Sequence, residues 1–189
     1  MYSGELLIRG VFGTLTILTF FSLSCMATCP TKSAAVPLDI AKFSGEWLIL
    51  AGTPTSGNSV SKCCFLTVTP TSSDTFEMNF TAISRRSQRP VTFTMNGKVD
   101  DDGVIGSWQL RGSKRLLGPF KHRVIAAKYD SYSVMVVCAD NGTDIPLREF
   151  AMILSRNATL SPIILQELKE ELLPYFDSDK ILDVDHSSC

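Results

Sequence analysis

The chain has 189 residues, 44% of them apolar and 20% charged, which suits one globular domain with its own core and leaves no room for a second. Lys plus Arg (18) nearly balance Asp plus Glu (19), so the chain lacks the overall basic excess with which nucleic-acid binders displace phosphate counterions. Its two histidines, His122 and His186, fall in no metal-ligand spacing and there is no glycine-rich phosphate loop. No metal or cofactor is expected, and lone histidines of this kind are expected at the surface.

At the start, Arg9 precedes an apolar run from Val11 to Leu23, and Cys25-Met26-Ala27 places small residues at positions −3 and −1 of a signal-peptidase site. The run is shorter than the roughly 20 apolar residues of a spanning helix. Residues 1–27 therefore read as a signal peptide cleaved after Ala27, and 28–189 as a secreted, extracellular domain. Six cysteines less Cys25 leave Cys29, Cys63, Cys64, Cys138 and Cys189. In an oxidising compartment most should pair, with one left over. Three sequons, beginning at Asn79, Asn141 and Asn157, agree with secretion and predict N-glycosylation.

From Phe43 to Asp140 the sequence is a train of short β-type runs separated by turn residues. Strands are predicted at Glu46 to Gly52, on the segment around Cys63 to Thr69, at Glu77 to Ala82, Val91 to Asn96, Val104 to Arg111, Lys121 to Tyr129, Tyr132 to Ala139 and Arg148 to Ser155. In the third, a glycan on Asn79 must face solvent, which turns Met78, Phe80 and Ala82 inward by the period-two rule. In the fourth, Val91, Phe93 and Met95 share the buried face. The same alternation turns Cys64, Leu66 and Val68 inward and Cys63, Phe65, Thr67 and Thr69 outward.

A helix is expected only after these strands. Ser161 can cap it, Pro162 suits its first turn, and Ile163, Ile164, Leu165, Leu168, Leu172 and Leu173 recur at helical spacing until Pro174. One face should pack on the strands. The tail reads as a short strand, Ile181 to Val184, followed by a cysteine that can tie the end down.

Gly45-Glu46-Trp47, preceded by Lys42-Phe43-Ser44, resembles the first lipocalin signature, a Gly-x-Trp at the start of the first strand. Ala126-Ala127-Lys128-Tyr129 stands where the second signature belongs, with Ala127-Lys128 in place of the usual Thr-Asp pair and Tyr129 kept. The segment Phe150 to Asn157, the helix and the terminal cysteine follow in order, and the block from Tyr129 to Cys189 is similar to the apolipoprotein D-like lipocalins. The resemblance implies an eight-stranded antiparallel up-and-down barrel with a C-terminal α-helix packed on its outside. It makes Gly45, Trp47 and Arg156 structural, with the arginine packed across the tryptophan at the closed end, a contact worth about 0.5–2 kcal/mol. It also implies disulfides from Cys29 to Cys138 and from Cys63 or Cys64 to Cys189. The register favours Cys63, which faces outward within reach of the tail.

The function implied is a secreted binder or transporter of a small hydrophobic ligand of fatty acid, steroid, retinoid or bilin type, rather than an enzyme. An eight-stranded barrel is just wide enough for one such guest or for a filling of side chains. The expected ligand-binding residues are Val68, Phe80, Phe93, Met95, Trp108, Met135 and Met152, a mainly apolar set with three adaptable methionines. Basic loops at Arg85-Arg86-Ser87-Gln88-Arg89 and Lys114 to Lys121, with Leu116, Leu117 and Phe120, should share the open end and suit an amphipathic anion or transient docking on an anionic membrane. Asp100-Asp101-Asp102 should lie at the other end. Two other classes stand beside this one. Cys64, aimed inward, resembles the nucleophilic thiol of lipocalin-type prostaglandin D synthase and would make the chain an isomerase. A spare exposed cysteine would instead make it a surface-interaction module that dimerises through a disulfide, against a monomeric carrier.

Overall fold

The computed structural model describes residues 38–54, 61–99, 107–110, 120–139, 149–187 and 189. The expected signal peptide, Cys29, Asn141, the Asp100 to Asp102 run and Lys114 to Leu117 lie outside these residues. Trp108, Phe120 and Cys138 are described by their backbone positions alone.

The described chain opens with a helix that the sequence reading did not anticipate, α1 (Ile40–Phe43). Four residues are too few to show a helical period, and the local signal is Asp39, whose side chain caps the turn by accepting from the Lys42 N–H at 3.1 Å. Gly45, at φ +94°, then turns the chain into the first strand, a conformation that glycine adopts without a Cβ penalty.

Eight strands follow: β1 (Gly45–Gly52), β2 (Lys62–Pro70), β3 (Thr75–Ile83), β4 (Pro90–Lys98), β5 (Ser107–Leu110), β6 (Phe120–Lys128), β7 (Tyr132–Ala139) and β8 (Phe150–Ser155). Each pairs antiparallel with the next, and β1 pairs with both β8 and β2, so the sheet closes on itself as the expected eight-stranded barrel. Its alternation sorts side chains into two cores. The inner one holds Trp47, Ile49, Cys64, Leu66, Val68, Phe76, Met78, Ala82, Val124, Met135, Val137, Met152 and Leu154. The outer one holds Ala51, Val134, Val136, Ala151 and Ile153, covered by the second helix.

Three irregularities break the strict alternation, one of them in β2, where the register against β3 shifts between Lys62 and Phe65. In β1 the register against β8 shifts between Ile49 and Ala51, and in β6 the register against β7 shifts between Val124 and Ala126. One extra residue reverses the side-chain parity, so Ile49 packs in the inner core and Ala51 in the outer.

The second helix, α2 (Pro162–Glu170), is capped by Ser161, whose hydroxyl accepts from the Ile164 N–H at 3.3 Å. It stops short of Pro174: Leu172, Leu173 and Tyr175 bond three residues back in tightened turns. Leu168 and Leu172 are buried on the outer core, whereas Ile163 and Leu173 are 72% and 48% exposed, so only part of the expected apolar face packs. A 3-10 turn at Ser178–Lys180 leads to β9 (Leu182–Asp183), shorter than expected, which pairs with Gly52 and Ala51. Among the described residues no helix is long and apolar enough to cross a membrane.

Candidate functional site

One end of the barrel is shut by a single interlocked group. Arg156 lies with its guanidinium carbon 3.6 Å from the centroid of the Trp47 ring. Its nitrogens donate to four backbone carbonyls: Tyr129 at 3.1 Å, Glu46 at 2.7 Å, Lys42 at 3.0 Å and Ser44 at 2.7 Å. The indole Nε1 of Trp47 donates to the Phe43 carbonyl at 2.8 Å, and the Tyr129 hydroxyl accepts from the Asp39 N–H at 3.1 Å. The loop with Ala127-Lys128 in place of Thr-Asp is thus tied by Tyr129 and Arg156. This end is architecture.

The interior above it is the candidate site. On the β6–β8 wall the inward side chains form cross-strand rows. Leu154, Ser133 and Ala127 stand nearest the closed end, Met152, Met135 and Val124 come next, and Phe150, Val137 and His122 lie toward the open end. On the facing wall, Val68 is register-paired with Met78, Met78 with Met95, and Phe80 with Phe93, whose rings stack with centroids 5.9 Å apart. The structure thus brings Val68, Phe80, Met95, Met135 and Met152 into one inner apolar cluster, with Phe93 stacked on Phe80. Trp108 is opposite Gly97 in the register. Val68, Met135 and Met152 are buried, but Phe80, Phe93 and Met95, although they face inward, keep part of their surface exposed.

The reading of both histidines as surface residues fails for His122, which is 2% exposed. It shares the parity of Val124, the bulge in β6 lies beyond both, and its ring meets the Phe150 ring edge-on at 6.4 Å. Burial drives its pKa well below the ordinary value, so at neutral pH the imidazole is uncharged. The alternation of His122 with Val124 could have revealed this. A second polar group on the same wall, the Ser133 hydroxyl, is fully buried with no hydrogen-bond partner among the described residues.

Cys64 faces inward from β2, as the register predicts, and is buried. Burial pushes its thiol up to about 11, and the nearby positive charge of Arg85 offsets this only in part. At neutral pH it rests as a protonated thiol, so nothing around it supplies the activation that a nucleophilic cysteine uses. The same burial denies Cys64 to an intermolecular disulfide.

At the open end, Arg85, Arg86 and Arg89 are exposed on the turn between β3 and β4. The Cys63–Cys189 disulfide, spanning 126 residues with its Cα atoms 5.4 Å apart, ties the tail to β2. The tail fills the gap where β1 and β2 part. The Val184 N–H donates to the Leu50 carbonyl at 2.9 Å, the Cys63 N–H donates to the Asp185 carbonyl at 3.0 Å, and His186 Nε2 lies 3.0 Å from the Ile49 carbonyl. On the outer surface, Asn79 accepts from the Thr94 hydroxyl at 2.6 Å and donates to Glu77 at 3.0 Å, while Asn157 is exposed.

No protein-family model and no curated protein sequence matches this chain. Solved structures do match it. It is similar to the amine-binding protein of Rhodnius prolixus in its tryptamine complex, with a TM-score of 0.63 and 17% identity over 82% of this chain and 85% of that one. The cockroach allergen Per a 4 gives a TM-score of 0.60 and 22% identity over 86% and 98% of the two chains. Lobster apocrustacyanin A1 gives 0.61 and 16% identity over 78% and 79%. At these identities the likeness speaks to the fold, and together with the closed eight-strand ring and its helix it establishes that this chain has the lipocalin fold.

Proposed function

We propose that the chain is a secreted, apolipoprotein D-like carrier that holds one small hydrophobic ligand inside its barrel. The observation that carries this reading is the incomplete burial of Phe80, Phe93 and Met95 on an inward-facing wall. In a barrel filled by its own side chains these residues would be fully covered, as Met135 is. An apolar lining broken by few polar groups is also what ligand pockets present. The tryptamine complex of the amine-binding protein supports the same use of the fold by a structural neighbour. In this reading residues 1–27 are removed on export, Cys29 pairs with Cys138, and glycans at Asn79, Asn141 and Asn157 cover the outside. The exposed arginines of the β3–β4 turn then favour brief contact with anionic membranes during loading.

Native mass spectrometry of the protein secreted from cultured eukaryotic cells should show a small hydrophobic molecule bound. The substitution Phe93→Ala should weaken binding of an apolar fluorescent dye about tenfold and cost little stability, because the side chain is incompletely packed. Unchanged dye affinity with a stability loss of about 3–5 kcal/mol, the range for a packed core phenylalanine, would show instead that the interior is filled.

A further inference from the structure

Toward the open end, where β1 and β2 part, the seam gathers a disulfide, a histidine and two cations that the carrier reading leaves unused. Cys189 is exposed on the tail, whereas its partner Cys63 is buried in β2. His186 stands beside the bond, with Nδ1 3.9 Å from Cys189 Sγ. The geometry points to a thiol-exchange site, at which a small anionic thiol of the glutathione class attacks Cys189 with His186 as the base and frees the tail from the seam. This goes beyond the carrier reading and does not depend on it.

The hydrogen bonds of His186 fix its tautomer. Nε2 lies 3.0 Å from the Ile49 carbonyl, which can only accept, so in the neutral ring Nε2 carries the proton and Nδ1 the lone pair. The Phe65 ring, edge-on at 5.6 Å, packs against the imidazole. Exchange begins with a thiolate, and an ordinary small thiol is mostly protonated at neutral pH. A base next to the sulfur under attack makes good that deficit.

The step balances without another reactant. The incoming thiol gives its proton to Nδ1 and its sulfur bonds to Cys189 Sγ. The Cys63–Cys189 bond breaks, its electron pair passes to Cys63 Sγ, and the imidazolium returns the proton to that sulfur through water. The products are a Cys63 thiol and a mixed disulfide on Cys189. A second small thiol then releases Cys189 as a thiol, and the two small thiols leave oxidised as their own disulfide.

Two further features favour opening. Cys63 sits at φ +52° where the β2 register shifts, an unfavourable conformation for a residue with a Cβ, and breaking the bond removes one of its constraints. Asp185 on the tail, whose carboxyl is lowered chiefly by the Ser187 hydroxyl and N–H, also feels the positive charges of Arg85 and Lys62. Those two cations attract an anionic thiol to the site.

The test exposes the folded, disulfide-bonded protein to glutathione at pH 7, followed by acid quenching, alkylation and peptide mapping. The first product should carry one glutathione on Cys189 and an alkylated Cys63, with Cys64 alkylated only after unfolding. His186→Phe keeps a ring against Phe65 but has no base, so glutathione should open it at least tenfold more slowly. Its rate with 4-mercaptobenzoate, a thiol already ionised at pH 7, should change less than twofold. His186→Gln, which keeps a donor for the Ile49 carbonyl, should show the same split. The inference is overturned if both thiols are slowed alike or accelerated alike in the variants, because His186 then only holds the tail. It is also overturned if glutathione appears first on Cys63 or Cys64, or if the wild-type bond stays closed to both thiols.

Discussion

A guanidinium has five N–H donors in a rigid planar fork, and Arg156 directs its fork at four carbonyls that come from two separate segments of the chain, residues 42–46 and Tyr129. The ring face of Trp47 lies against the same plane. Lysine keeps the charge but offers a point donor and no plane, so it cannot reproduce either contact. Arg156→Lys should therefore cost about 2–3 kcal/mol, from carbonyls left short of donors and a lost stacking contact. In a chain of this size that lowers the thermal midpoint by roughly 4–12 °C. Denaturant unfolding of the purified variant measures it, and a loss below about 1 kcal/mol would mean that water replaces the fork without penalty. Gly45 belongs to the same group: a Cβ there would stand 3.2 Å from Arg156 Nη1 on a backbone already at φ +94°.

Among the elements, the tail behaves as a ninth strand that completes the barrel seam. β1 pairs directly with β2 only from Gly45 to Leu48, and beyond that its free edge is taken by Leu182 to His186. The tail is held there by the disulfide and by an ion pair of 2.7 Å between Lys169 on α2 and Asp183. Reduction with dithiothreitol should free it, so hydrogen exchange at residues 49–52 and 62–64 should speed up at least tenfold while residues 45–48 and 65–68 exchange as before. Uniform acceleration across both groups would show that the seam opens only by global unfolding. This strand also shows where sequence reasoning stops. The alternation in Val91 to Met95 and in Cys64 to Val68 is read directly from the residues, because period two is a local property. The bulges after Ile49 and Val124 depend on the partner strand, so nothing in β1 or β6 alone announces them. The helix before Gly45 is barely one turn long, too short for a period to repeat, and Ile163 and Leu173 fit the helical pattern yet stay exposed.

At the scale of the whole molecule, the order of strands, the closing Trp47–Arg156 pair and the tail cysteine were legible because each leaves a residue-type signature. The polar members of the interior were not, since a single histidine reads as a surface residue until the register shows which way it points. That histidine couples the fold to pH. Unfolded, its pKa is near 6.5, whereas burial in the barrel holds it well below that value. Below pH 6.5 the unfolded chain takes up a proton that the folded chain refuses, so stability is full above this value and falls with each unit of acidification until the folded-state pKa is reached. The slope is about 1.4 kcal/mol per pH unit for one proton. Asp39, Asp74 and Asp185, whose carboxyls are lowered chiefly by hydrogen bonds, act only in stronger acid, and Glu149, raised by burial, is common to both proteins, so the difference between wild type and His122→Phe from pH 7.5 to 5.0 reports on the histidine. Across that range the wild-type protein should lose more stability than His122→Phe in urea unfolding, up to about 2 kcal/mol. Parallel pH profiles for the two proteins would mean that the imbalance in proton uptake has another source and that His122 is not held neutral by the barrel.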